Sequence, residues 1–167
     1  GANAGQLSIQ YTSDGTGTSG LAAIASNSQT IAVSATGFNV AQASVLPASP
    51  IVFGDRHVGD AATQALSIAN TAPTGAFTER LNASFGAPTG AATTNGGSIA
   101  LLTAGAPAST AMSVGLDTSA AGARSGQVTV NLQSDGAGTS GLGTLNLTGQ
   151  TVSVQGNVYR LAQANTI

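Results

Sequence analysis

The sequence predicts an all-β protein, an antiparallel β-sandwich repeated about every 121 residues. Three observations carry this. Short segments of alternating polar and apolar residues run along all 167 residues. Gly, Asn, Asp, Ser and Pro gather between them, where turns are needed. Segment 5–43 is matched without a gap by segment 126–164.

Taken in order, Gln6–Thr12 alternates with period two, the mark of a half-buried strand. Thr30–Ala35 does the same, and Ile51–Phe53 is a short apolar strand. Ala65–Ile68, Phe77–Phe85, Ser98–Leu102 and Ala108–Leu116 follow, with Asn95-Gly96-Gly97 as a turn. Gln127–Leu132, Leu142–Leu147, Thr151–Val154 and Val158–Leu161 complete the series. No segment carries an apolar stripe at i, i+3, i+4 and i+7 over three turns, so no helix is expected. One repeat therefore holds about seven to nine short strands, the pattern of a sandwich.

The internal match is specific. At an offset of 121 residues, 16 of 39 positions are identical, among them an unbroken Ser-Asp-Gly-x-Gly-Thr-Ser-Gly-Leu block at 13–21 and 134–142. Most other differences are conservative, such as Leu7/Val128, Ile31/Val152 and Phe38/Tyr159. The expected organisation is residues 1–44 as the C-terminal part of one repeat, an incomplete sandwich completed by another copy or chain. Residues 45–164 are expected as a complete sandwich and 165–167 as the start of a next linker. Ala41–Pro50, with Pro47 and Pro50, reads as a short stiff joint between copies. The opening Gly-Ala-Asn-Ala has neither a basic nor an apolar leader region, which fits a mature or excised segment.

Several residues resemble a known family. Ile51-Val52-Phe53-Gly54-Asp55-Arg56-His57-Val58-Gly59, then Ala65–Thr71, resembles the opening of hydin-type immunoglobulin-like domains. Val114–Thr118 followed by Ala121–Gly126 is similar to the later turn of that family. The Ser-Asp-Gly-x-Gly-Thr-Ser-Gly-Leu block and the Val158–Ala162 ending resemble bacterial choice-of-anchor D repeats. The resemblance covers about 45–164 and part of 5–43. It implies an immunoglobulin-like sandwich that occurs in tandem in large exported surface proteins, with no catalytic residues to carry over.

Composition narrows the chemistry. Only 6% of residues are charged, against about 25% in ordinary soluble domains. Net charge is −2, and the four basic residues are scattered arginines, which argues against nucleic acid. There is no Cys and one His, so thiol chemistry and Cys- or His-rich metal sites are excluded. No apolar run is long enough for a transmembrane helix.

The candidate sites are few. Asp14 and Asp135 lie in the repeated glycine-rich loops. Calcium takes about six to eight oxygens, usually from several carboxylates, and each loop offers one. The expectation is therefore no cofactor, with Asp hydrogen-bonded to loop backbone. Asp55, His57 and Asp60 cluster within six residues, where a metal or acid–base site competes with a solvated surface. Glu79 and Arg80 adjoin in a strand and should point to opposite faces, as solvated groups or an interdomain ion pair. Asn82-Ala83-Ser84 and Asn146-Leu147-Thr148 match the N-glycosylation pattern. No Gly-x-Ser-x-Gly stands between strand and helix.

The expectation for catalytic, cofactor and metal residues is thus none, and for enzymatic activity none. A structural or adhesive repeat of an extracellular, cell-surface bacterial protein is expected, building a rod, stalk or matrix filament with copies of itself as partners. The alternative is a carbohydrate- or protein-binding module. Its expected aromatic cluster is missing, because Tyr11, Tyr159 and the four Phe are dispersed along the chain.

Overall fold

The computed structural model describes residues 1–165 and is all-β among them. It divides into two compact units, Gly1–Phe38 and Asn39 onward.

The first unit is a single hairpin. β1 (Ala2–Gly15) pairs antiparallel with β2 (Leu21–Thr36), from Ala2↔Thr36 to Gly15↔Leu21. The turn closes when Gly20 N–H donates to Gly15 C=O at 2.8 Å. Gly20 has φ of 71°, a left-handed value that glycine adopts without strain. Alternation makes one face of this hairpin apolar, yet Leu7 is 55% exposed, Ile31 40% and Val33 57%.

The second unit is the sandwich. Its elements in chain order are β3 (Ala43–Leu46), β4 (Ile51–His57), β5 (Thr63–Ala65), β6 (Ser67–Asn70), β7 (Arg80–Phe85), β8 (Thr89–Gly90), β9 (Ala92–Thr94) and β10 (Ser98–Leu102). β11 (Ser113–Leu116), β12 (Gly122–Asp135), β13 (Thr144–Asn146) and β14 (Gln150–Tyr159) follow. One layer runs β10-β7-β12-β14-β4, with β8 and β13 also on β12. The pairs are antiparallel except β14 with β4, which is parallel.

The other layer is built from β5-β11-β9 and β3-β6. Hydrogen bonds from Leu66 N–H to Met112 C=O and between Ile68 and Ser109 join these pieces into nearly one sheet. Both layers bury their inward residues in one core. Alternate residues of β12, namely Val128, Val130, Leu132 and Ser134, are buried, as are Val152, Val154 and Val158 of β14. Leu66, Ile68, Met112 and Val114 close the core from the opposite layer.

Most expected strands are present with shifted ends, but Ala65–Ile68 is divided between β5 and β6, and the strands expected at Thr151–Val154 and Val158–Leu161 are the single strand β14. Three elements escaped the sequence reading: β3, β8 and β9. The joint expected over 41–50 is a correction. Ala43–Leu46 is a strand paired with β6, and Ala41 and Val45 are core residues. The sandwich starts at Asn39 rather than at residue 45. Buried Asn70 fastens the inward-folded segment. Its Oδ1 accepts the N–H groups of Gln42 and Ala72, at 3.2 and 3.3 Å. Its Nδ2 donates to the carbonyls of Glu79 and Leu102, at 3.2 and 3.1 Å. Of the linker expected over 165–167, residues 166 and 167 lie outside the described residues.

Truncating a fully buried leucine leaves a cavity as well as losing transfer energy. Leu66→Ala should therefore destabilise the sandwich by about 3 kcal/mol in chemical unfolding, whereas Ile31→Ala should leave its midpoint unchanged.

Candidate functional site

The matched segments adopt the same local structure. In β12–β14 the register includes Gly126↔Val154, Val128↔Val152 and Val130↔Gln150. In β1–β2 it includes Gly5↔Val33, Leu7↔Ile31 and Ile9↔Gln29, the same pairs displaced by 121 residues. Ser134↔Leu145 likewise repeats as Ser13↔Ile24. The loops agree too: Gly141 N–H donates to Gly136 C=O at 2.8 Å, as Gly20 does to Gly15, and Gly141 has φ of 72°. What differs is the surroundings. β12 and β14 have strands on both outer edges and a second layer over one face. Among the described residues β1 and β2 form a two-stranded sheet of their own.

A buried polar latch secures the β12 loop within the sandwich. Glu79, 5% exposed, accepts the Ser134 hydroxyl at 2.7 Å on Oε2 and the Ser140 hydroxyl on Oε1. Ser134 Oγ in turn accepts Ala41 N–H at 2.8 Å. The Glu79 backbone N–H donates to Asn39 C=O at 2.9 Å. One carboxyl group thereby holds the glycine-rich loop, β12 and the start of the unit together. The solvated or interdomain role expected for Glu79 is corrected: it is buried just before β7, where these two hydroxyls reach its carboxylate. Sequence reasoning missed Ser134 and Ser140, although their identity with Ser13 and Ser19 was a visible signal.

The other candidates are placed as follows. Asp14 accepts the N–H and hydroxyl of Thr16 at 3.0 and 2.7 Å, which hold its carboxyl below the usual range. Asp135 accepts Ala137 N–H at 2.8 Å and the Asn82 amide at 2.7 Å. Asp60 accepts His57 N–H at 2.7 Å and closes the turn after β4, with the His57 ring 3.6 Å away. Asp55 instead accepts the Asn157 amide at 3.2 Å. The three residues of that cluster thus serve a turn and a strand pair. Asn82 also accepts Leu101 N–H at 2.7 Å, and Asn146 accepts the Gln133 amide at 2.8 Å, so both sequon asparagines are engaged on strands.

Arg124 donates to Asp117 at 2.6 Å. The Asp117 carboxyl is held below its ordinary value first by Ser119 and then by Arg124. Among the described residues there is no group of three His, Cys, Asp or Glu side chains able to hold a metal, and no helix long and apolar enough to cross a membrane. The surface grooves are shallow. One, beside Arg124, is lined otherwise by Val52, Gly54, Ser125 and Asn157.

No family model matches the chain, and no curated protein matches it. Seven solved chains match it. Among them is PapD-like domain 7, an ASH / PapD-like domain, of human CEP192. Its TM-score is 0.46 at 10% identity, over 77% of this chain and 92% of that one. Residues 39–165 form an all-β sandwich, defined by two packed layers around β12 and β14.

Two outcomes are expected. Glu79→Ala strands two hydroxyls and should lower sandwich stability by about 3 kcal/mol in urea unfolding, with Glu79→Gln costing less. A carboxyl whose folded pKa is depressed contributes stability above its unfolded pKa and loses it as pH falls through the folded value. Stability should therefore decline below the usual carboxylate range, and the decline should be smaller in Asp117→Asn, as read by thermal melts against pH.

Proposed function

We propose that this chain is a structural, adhesive repeat of an exported bacterial surface protein of the choice-of-anchor D kind. It builds a rod, stalk or matrix filament by tandem or strand-complemented stacking. The observation that carries this reading is the reuse of one hairpin, in one register, at an offset of 121 residues. The stretch from Asn39 to the end of β14 at Tyr159 matches the repeat offset in length.

The reading assigns no reaction. It also assigns no nucleic-acid partner, which fits a chain with four dispersed arginines and net charge −2. Low charge weakens repulsion between copies, and strands rich in Ser, Thr, Gly and Ala offer edges with few charged guards. The partners are further copies of the repeat, outside the cell, without membrane insertion.

Negative-stain electron microscopy of the purified chain tests this. Beaded rods or filaments are expected. Dispersed monomers that bind defined sugars on a glycan array would replace the structural reading with a binding module.

A further inference from the structure

The β1–β2 hairpin carries features that nothing within its own unit uses. Leu7, Ile9, Ile31 and Val33 occupy the positions of Val128, Val130, Val152 and Val154, all core residues. Gly5 is identical to Gly126. A Cβ on Gly126 would collide with the backbone of Thr89–Ala92, which crosses β12 there, whereas Gly5 has open space around it. Ser13 and Ser19 are identical to Ser134 and Ser140, which hold Glu79. Within the hairpin, Ser19 reaches only Gly15 C=O, at 3.5 Å.

Ladder register agrees with this pattern. Asp135 faces Arg80 across the β12–β7 ladder, and the Arg80 guanidinium lies over Gly138 of the loop. Asp14, the one acidic side chain of the hairpin unit, stands at the Asp135 position.

We propose that the hairpin is the seat for residues 39–121 of another copy of this repeat. The inference rests on the repeat reading above and adds the occupant, its register and its key. A β7-like strand pairs antiparallel with Ile9–Asp14, setting its Phe85 opposite Ile9 and its Arg80 opposite Asp14. A β4-like strand pairs parallel with β2, its Ile51 beside Val33. The incoming Glu79 takes the hydroxyls of Ser13 and Ser19, and the incoming Thr89–Ala92 crosses at Gly5. This chain's own residues 39–121 already hold β12–β14 in that way, so the occupant is a further 39–121 segment, from a copy in which this hairpin stands where β12–β14 would.

The test is the full chain with a copy of residues 39–121 joined directly ahead of Gly1. Backbone amides of β1 and β2 should exchange about 100-fold more slowly than in the unextended chain. Gly5→Val should abolish that slowing in the extended chain, yet leave the sandwich of the unextended chain unaltered. The protein has no cysteine, so register can be read by cross-linking. Gln10→Cys should form a disulfide with Ser84→Cys of the added copy, and not with Asn82→Cys. An extension that stays unstructured, or β1 and β2 amides that still exchange fast, overturns the proposal. So does a dimer of the unextended chain, made by two hairpins face to face, that the extension fails to break. Microscopy is independent: a protected hairpin without rods keeps this inference and removes the rod, and rods with an exposed hairpin do the reverse.

Discussion

A β-hairpin with one apolar face and two open edges is an unfinished object. Its backbone groups on both outer edges need partners, and its apolar side chains need cover, or they remain in water. The sandwich answers this for β12–β14. β7 and β8 take one edge, β4 the other, and the β3/β6 and β5/β11/β9 layer closes over Val128, Val130, Val152 and Val154. Every other feature of residues 39–165 is subordinate to that closure. The hairpin at 1–36 shares most of these pairs, with β2 running unbroken where β13 and β14 are separate, and Leu7, Ile31 and Val33 remain exposed.

The core is built of small parts. Valine and alanine dominate it, with Phe53 its one buried aromatic. Small side chains let the layers approach closely but bury little area each, so polar fixings matter more than in a bulky core. Asn70 supplies one, bridging four backbone groups from separate segments. Glu79 supplies the other, joining two serine hydroxyls across long sequence separations. Both satisfy groups that burial would otherwise leave unpaired, at a cost of about 1–3 kcal/mol each.

The same economy accounts for the chemical reticence of the surface. The candidate acids are spent on turns and ladders: Asp60 on the His57 turn, Asp14 and Asp135 on their loops, Asp117 on Ser119 and Arg124.

Much of this was legible in the residues alone. Period-two alternation located β1, β2, β12 and β14, because a half-buried strand must alternate whatever it packs against. The ungapped match at 121 residues forecast that two hairpins would share a register, since register follows from side-chain pattern and turn chemistry, both local. Burial is not local. Leu7 and Val128 are near-identical residues in identical ladders, and only the layer over β12 makes one of them core. β3 hid behind two prolines, in a segment that Asn70 fastens inward. Glu79 read as a solvated charge because the hydroxyls that receive it lie more than fifty residues away. Strand, turn and repeat were written in short stretches of chain. Which faces close, and which polar groups meet inside, needed distant segments brought together, and that was decided by the tertiary structure.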